Sequence, residues 1–388
     1  MQLSKSSIEP AKVHVSGANI LVRQAPYVAH DQILGRTHRV TTGYSDIGSV
    51  YSPLFERAWV FQERLLAPRT VLFHHEEMVW ECIQDAWCEC GEISNRTEED
   101  DAERNKTYLK GQLKALNLIQ EGITYSKEHM FTFWMDAVER YSLLSLTDES
   151  DRLPALAGLA RHLSKRFSCR YLAGLWEEDL ARNLLWSREP WRETWRETER
   201  RRSSGRYYTP TWSWTCLGWP TSYKTSYTSH IRYDYIQDYI FEVDARFNVV
   251  ETSCEYVNPY DHFGQVKHAI LTLKGAMIEV VVDTHPVLYK TTPTLLYFQN
   301  DQSLFRGDVG TVSDAHRRRS QVKFKTPAYC LLIGHSWAKV PGKESISLAL
   351  VLYKTPSGGY LRMGLLALSK SQRKDWFNVA KVETIVLE

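Results

Sequence analysis

Between Ala269 and Val282 the chain reads AILTLKGAMIEVVV, an apolar and largely β-branched run broken by a single glycine. Branched side chains suit a pleated surface, so the run reads as strand. Further runs of the same character follow or precede it: IRYDYI from Ile231, YIFEVDA from Tyr239, TLLYF from Thr294, AYCLLIG from Ala328, ISLALVLY from Ile346, YLRMGLLAL from Tyr360 and VETIVLE from Val382. Gly and Pro punctuate them, and Thr355-Pro356-Ser357-Gly358-Gly359 carries a hairpin signal. About eight strands predict an antiparallel sandwich or barrel-like region over residues 229–388.

Working back from there, the period changes near Pro220 to Thr228, and the preceding sequence reads mostly helical. Eleven of the 13 tryptophans fall before residue 220. Pro53 suits a first helical position, and Leu54, Ala58, Phe61 and Leu65 recur as one apolar stripe, which predicts an amphipathic helix ending before Pro68. Phe55, Trp59 and Leu66 widen the stripe. Thr70 to Phe73 and Met78 to Cys82 flank a polar turn and predict a hairpin, with Trp59 and Trp80 buried where helix and hairpin cover each other. Further helices are expected at Tyr108 to Ile119, His129 to Leu144, Leu153 to Lys165 and Glu177 to Trp186, with Tyr171 to Trp176 a buried connector. The fold class is therefore α+β: a helix-rich, Trp-dense front half with a β-hairpin, then a β-rich half. The expected division is residues 1–91, a helical region 92–228 and the β-rich domain 229–388.

The 388 residues are 43% hydrophobic and 24% charged, which suits packed cores and argues against wholesale disorder. Forty-eight Lys and Arg against 46 Asp and Glu leave a formal charge of +2, giving no general electrostatic case for nucleic acid or a membrane surface. No apolar run approaches membrane-spanning length, and the first residues lack a signal-peptide core, so the expected location is cytoplasmic. The seven cysteines read as reduced thiols.

Metal-ligand chemistry gathers in one place, at His74, His75, Cys82, Cys88 and Cys90. Five residues separate Cys82 from Cys88, and Cys88-Glu89-Cys90 is C-x-C, whereas structural zinc sites use C-x2-4-C pairs; no metal is expected. No phosphate loop and no nucleophile elbow are present. Glu63 and Glu81 are the candidate acid or base residues, against a simpler reading in which they and Glu89 pair with Arg57, Arg64 or Arg69. From Ser187 to Arg206, seven arginines, four glutamates and two tryptophans form a mixed-charge stretch that reads as a solvated helix, not a nucleic-acid surface. Thr211-Trp212-Ser213-Trp214 reads as an extended segment carrying both indoles into the core.

Several of these stretches, taken together, resemble a known family. Arg57-Ala58-Trp59-Val60-Phe61-Gln62-Glu63-Arg64-Leu65-Leu66, then Pro68-Arg69 and Val79-Trp80-Glu81-Cys82, resembles the closing motif of the fungal heterokaryon-incompatibility (HET) domain. The similarity continues through DRLPALAGLA (Asp151 to Ala160), YLAGLW (Tyr171 to Trp176), PTWSW (Pro210 to Trp214) and Arg362-Met363-Gly364. Segments like YVALSYCWG and LWIDALCIDQ, which open such domains, have no counterpart, so residues 1–91 correspond to the C-terminal portion of a HET domain. The motif residues carried over are Arg57, Trp59, Gln62, Glu63, Leu66, Arg69, Trp80, Glu81 and Cys82. The resemblance implies a part in vegetative incompatibility, nonself recognition and programmed cell death, through protein partners and without complete effector activity. The distant likeness of HET domains to the TIR fold implies the alternative of an NAD-consuming enzyme; otherwise no cofactor is expected. A third reading makes the β-rich half a protein-binding regulatory module.

Overall fold

The computed structural model describes residues 11–15, 18–22, 54, 57–73, 78–82, 86–89, 91, 109–117, 125–189, 208–217, 230–233, 236, 239–284, 294–298, 301–307, 324–338, 345–369 and 376–388. The chain divides into two compact units, Met1–Pro53 with Arg64–Ala115, and Leu54–Glu63 with Leu116–Glu388. The fold is α+β, with helices and a hairpin in the N-terminal half of the chain and a large antiparallel-rich sheet in the C-terminal half.

In the first unit, strands β1 (Ala11–Val15) and β2 (Ala18–Val22) pair antiparallel. Helix α1 (Ala58–Leu66) belongs partly to each unit. It begins at Ala58, later than the Pro53 start expected from the sequence, because the Ala58 amide donates to the Ser145 carbonyl (3.0 Å) and Arg57 is bridged to Ser145 in β fashion. The bridge holds Arg57 extended, so the helix starts only after it, its free first amide bonding to Ser145, and Leu54 sits in an exposed turn. The predicted hairpin is present as β3 (Arg69–Phe73) and β4 (Met78–Cys82), and a third strand, β5 (Ala86–Cys88), extends it. One face buries Leu72, Val79, Glu81 and Cys88; across the other, Val71, Trp80 and Trp87 lie in register. Helix α2 (Leu109–Asn117) buries Leu109, Leu113 and Leu116, the stripe its spacing predicts.

The second unit is built on α3 (Lys127–Tyr141) and α4 (Pro154–Phe167), whose apolar faces are buried. Pro154 occupies the first turn of α4, where its missing N–H costs nothing. The expected connector at 171–176 is instead a two-residue hairpin, β6 (Tyr171–Leu172) and β7 (Leu175–Trp176), turning through Ala173 and Gly174 at positive φ. The helix expected from Glu177 to Trp186 is reduced to a 3-10 turn and the four-residue α5 (Leu180–Asn183). It ends where Leu184 and Leu185 bond back to Leu180 and Arg182 and the chain turns extended at Ser187; the carbonyls left free there, those of Leu184 (2.5 Å) and Trp186, are taken by the Arg362 guanidinium. Ser187–Glu189 forms β8, paired with β9 (His230–Arg232), where the sequence predicted the start of a helix; the rest of that stretch, residues 190–207, lies outside the described residues. The TWSW segment is a turn and 3-10 helix capped by Ser213, not an extended strand, yet both indoles are fully buried as expected.

The β-rich part comprises β10 (Tyr239–Val243), β11 (Asn248–Tyr256), β12 (Val266–Thr284), β13 (Thr294–Phe298), β14 (Asp301–Gly307), β15 (Phe324–Ala338), β16 (Ile346–Lys354), β17 (Tyr360–Ser369) and β18 (Lys381–Leu387). Pairings run β12 to β15, β16, β17, β14, β13 and back to β12, closing an antiparallel, barrel-like ring. Strand β18 joins both β12 and β17, and β11 pairs the near end of β12. Ile278, Val280, Ala328, Cys330, Ala349 and Val351 share one core cluster, while their neighbours Met277, Leu331 and Leu350 are buried on the opposite face. Burial on both faces is why these strands read as unbroken apolar runs. No helix among the described residues is long and apolar enough to cross a membrane.

Candidate functional site

The residues singled out by sequence serve mainly as staples. Trp59 is half-buried, and its indole N–H donates to Asp151 (3.0 Å). Gln62 Oε1 accepts from the amides of Gly158 (2.5 Å) and Leu159 (3.1 Å), an approach that a side chain at Gly158 would obstruct. Trp59 and Gln62 of one stretch of the resemblance are thus fastened to Asp151, Gly158 and Leu159 of another, all within the second unit. Arg64 grips Glu81 through two hydrogen bonds, 2.7 and 3.2 Å, and Glu81 is only 2% exposed. Of the two candidate carboxylates, Glu81 is committed to an ion pair, as the simpler reading held, and Glu63 lies exposed on α1. Glu89 accepts from the Met78 amide (2.8 Å). Arg57, Leu66 and Arg69 are exposed. Trp80 is half-buried and stacks on Trp87 (6.1 Å between ring centroids), so neither Trp59 nor Trp80 is a fully buried core residue.

Cys82 and Cys88 are buried thiols, and His74, His75 and Cys90 lie outside the described residues. Among the described residues no three His, Cys, Asp or Glu side chains gather as a metal ion requires.

The downstream stretches of the resemblance converge on the Ala173–Gly174 turn. Trp134 and Trp214 both donate their indole N–H to the Gly174 carbonyl (2.9 Å each), and Ser213 donates to Ala173 (2.5 Å). Gly174 has φ +100°, and a side chain there would strike the Trp214 ring. Trp186 donates to the Trp212 carbonyl (2.9 Å), and Arg362 stacks over the Trp186 ring at 3.7 Å while binding two carbonyls. Arg152, also buried, donates to the Thr215 carbonyl and pairs with Glu149. Buried Glu139 accepts from the Tyr233 amide (2.6 Å), tying α3 to the chain after β9. Beside this hub, burial pushes the Asp179 carboxyl up to about 6 despite its bonds to Arg182 (2.7 Å) and Asn183 (2.9 Å).

Among the described residues, an open groove has room for a ligand. It has a volume of about 840 Å³ and lies between the end of α4, the start of β6 and the β11–β12 loop. The loop is pre-formed: Asp261 pairs with Arg161 (3.0 Å) and accepts from the Phe263 amide (3.2 Å), while Phe263 stacks on Tyr171 and lies beneath Arg161. Tyr256 stacks flat on His262 at 5.4 Å and donates to the Tyr171 carbonyl (3.0 Å). Burial raises the Tyr256 phenol and the Cys254 thiol above their ordinary values, so both stay neutral at physiological pH. Each lining cation already faces a carboxylate: Arg161 meets Asp261, Arg170 meets Glu177 (3.0 Å) and Lys267 meets Glu255 (3.3 Å). Tyr260 also lines the groove and is 95% exposed. None of the candidate residues read from the sequence lies here; the groove joins two stretches far apart in the chain, residues 161–171 and 254–267.

Comparison of the chain with protein-family models, with curated proteins and with solved structures returns no match.

Proposed function

We propose that this chain is a HET-type protein of fungal vegetative incompatibility, acting in nonself recognition upstream of programmed cell death as a recognition scaffold without complete effector activity. It works in the cytoplasm through a protein partner, and needs neither nucleic acid nor a membrane nor a cofactor. The observation that carries this reading is the fastening of Trp59 to Asp151 and of Gln62 to Gly158, which ties motif residues of one stretch to another within the second unit. Expression in a fungal host beside a complete HET protein that kills tests it: the expected result is continued growth, and arrest or death at comparable expression overturns it.

The NAD-consuming alternative asks for a carboxylate facing a developing oxocarbenium ion. Arg64 already neutralises Glu81, an arrangement that favours the scaffold. Nicotinamide release from NAD by the purified protein, above that of a Glu63→Ala, Glu81→Ala double variant, would reverse the preference. The regulatory-module alternative gives the β-rich half the binding role by itself. Arg362 of the β-rich half binds Leu184 and Trp186 directly, so binding is to be assayed on the full chain.

A further inference from the structure

We infer that the groove beside the β11–β12 loop binds a neutral saccharide. The argument begins with charge. Arg161, Arg170 and Lys267 give the wall three cations, but each is paired with a carboxylate at 3.0–3.3 Å. An anionic ligand would have to displace Asp261, Glu177 or Glu255 and leave a carboxylate beside its own charge. A cationic ligand meets the converse problem with the arginines. A neutral ligand whose groups both donate and accept meets neither, and a hydroxyl does both.

The second element is the shape of the polar groups. Guanidinium and carboxylate are planar forks able to bracket two adjacent hydroxyls, and all three pairs stand in solvent, where an ion pair contributes little and is opened at small cost. The third is Tyr260, an aromatic ring 95% exposed on the groove. A ring left in water on a loop otherwise fixed by hydrogen bonds and stacking is a platform for the apolar C–H face of a pyranose. The fourth is preorganisation. Asp261, Phe263 and the Tyr256–His262 stack hold the loop before any ligand arrives, so little ordering remains for binding to accomplish. The volume, about 840 Å³, falls within the usual range for ligand pockets, about 300–1,000 Å³.

This inference names a ligand class for the groove and rests on reading the protein as a recognition scaffold. Its test uses purified full-length protein and no cell, so its failure is separable from failure of the incompatibility assay. Calorimetric titration with maltotriose, cellotriose and triacetylchitotriose, and with citrate as anionic probe, is expected to show saturable binding of at least one trisaccharide and none of citrate. Tyr260→Ala is expected to weaken that binding tenfold or more, and Glu255→Gln to weaken it less, with the thermal unfolding of both unchanged. Binding of citrate alone, binding of nothing, or a Tyr260→Ala variant that binds like the parent overturns the inference.

Discussion

The Ala173–Gly174 hub and the groove beside it use the same residue types to opposite ends. Both combine aromatic rings with arginines. In the hub, Arg362 and Arg152 are buried and spend their donors on backbone carbonyls that have left a helix or strand ladder. In the groove, Arg161 and Arg170 stand more than half exposed and face side-chain carboxylates. A buried guanidinium on carbonyls is fixed, because releasing it strands a charge and the acceptors together. A solvated guanidinium on a carboxylate can exchange its partner. The residue composition is the same; the solvent decides which arginine holds the fold and which is available to a ligand.

The contrast is broken most severely at Arg362. Arg362→Leu leaves the Leu184 and Trp186 carbonyls without their donor and is expected to lower stability by about 3–5 kcal/mol in urea unfolding. A loss under about 1 kcal/mol would mean that the hub does not depend on this side chain. Arg362→Lys is expected to recover little, since a single ammonium cannot fork to two carbonyls while stacking on Trp186.

Asp179 sharpens the comparison through pH. Its folded value of about 6 lies above the ordinary 3.8, so on acidification the native state takes up a proton before the unfolded chain does. Its contribution to stability therefore rises as pH falls from about 7 to about 4, by at most about 3 kcal/mol at about 1.4 kcal/mol per unit. The check is urea unfolding of the parent and Asp179→Asn at pH 7 and pH 5, where the difference between the two proteins should change with pH. A constant difference would contradict the buried, raised carboxyl.

Gly174→Ala forces a side chain into positive φ and against Trp214, with an expected loss of about 1–3 kcal/mol. Gln62→Leu removes the acceptor shared by Gly158 and Leu159 and should cost about 1 kcal/mol. Both are measurable by chemical denaturation, and a neutral Gln62→Leu would remove the fastening on which the scaffold reading stands.

Much of the fold was legible where one face of an element is apolar. The β3–β4 hairpin and helices α2, α3 and α4 appear close to their expected places, and the strands of the ring follow the apolar runs except β14, whose DQSLFRG was not read as a strand. Strand β11 was not legible: NVVETSCEY is polar along much of its length, and its pairing is imposed by β12 through two register shifts. The shortening of α5 was hidden because the strand that follows it, Ser187–Glu189, pairs with His230–Arg232, far along the chain. At the candidate site, the ion pairing of Glu81 and the burial of Trp212 and Trp214 were readable from residue type. The groove was not, because Arg161, Arg170, Tyr260 and Lys267 come together only after α4, β6 and the β11–β12 loop have packed.

The central claim, that the motif-bearing hub holds the fold while the groove is built for exchange, is tested most directly by thermal unfolding of an Arg161→Ala, Tyr260→Ala double variant beside Arg362→Leu. The account predicts a midpoint for the groove variant within about 3 °C of the parent and a drop of more than about 6 °C for Arg362→Leu. A groove variant that melts as early as the hub variant would contradict it.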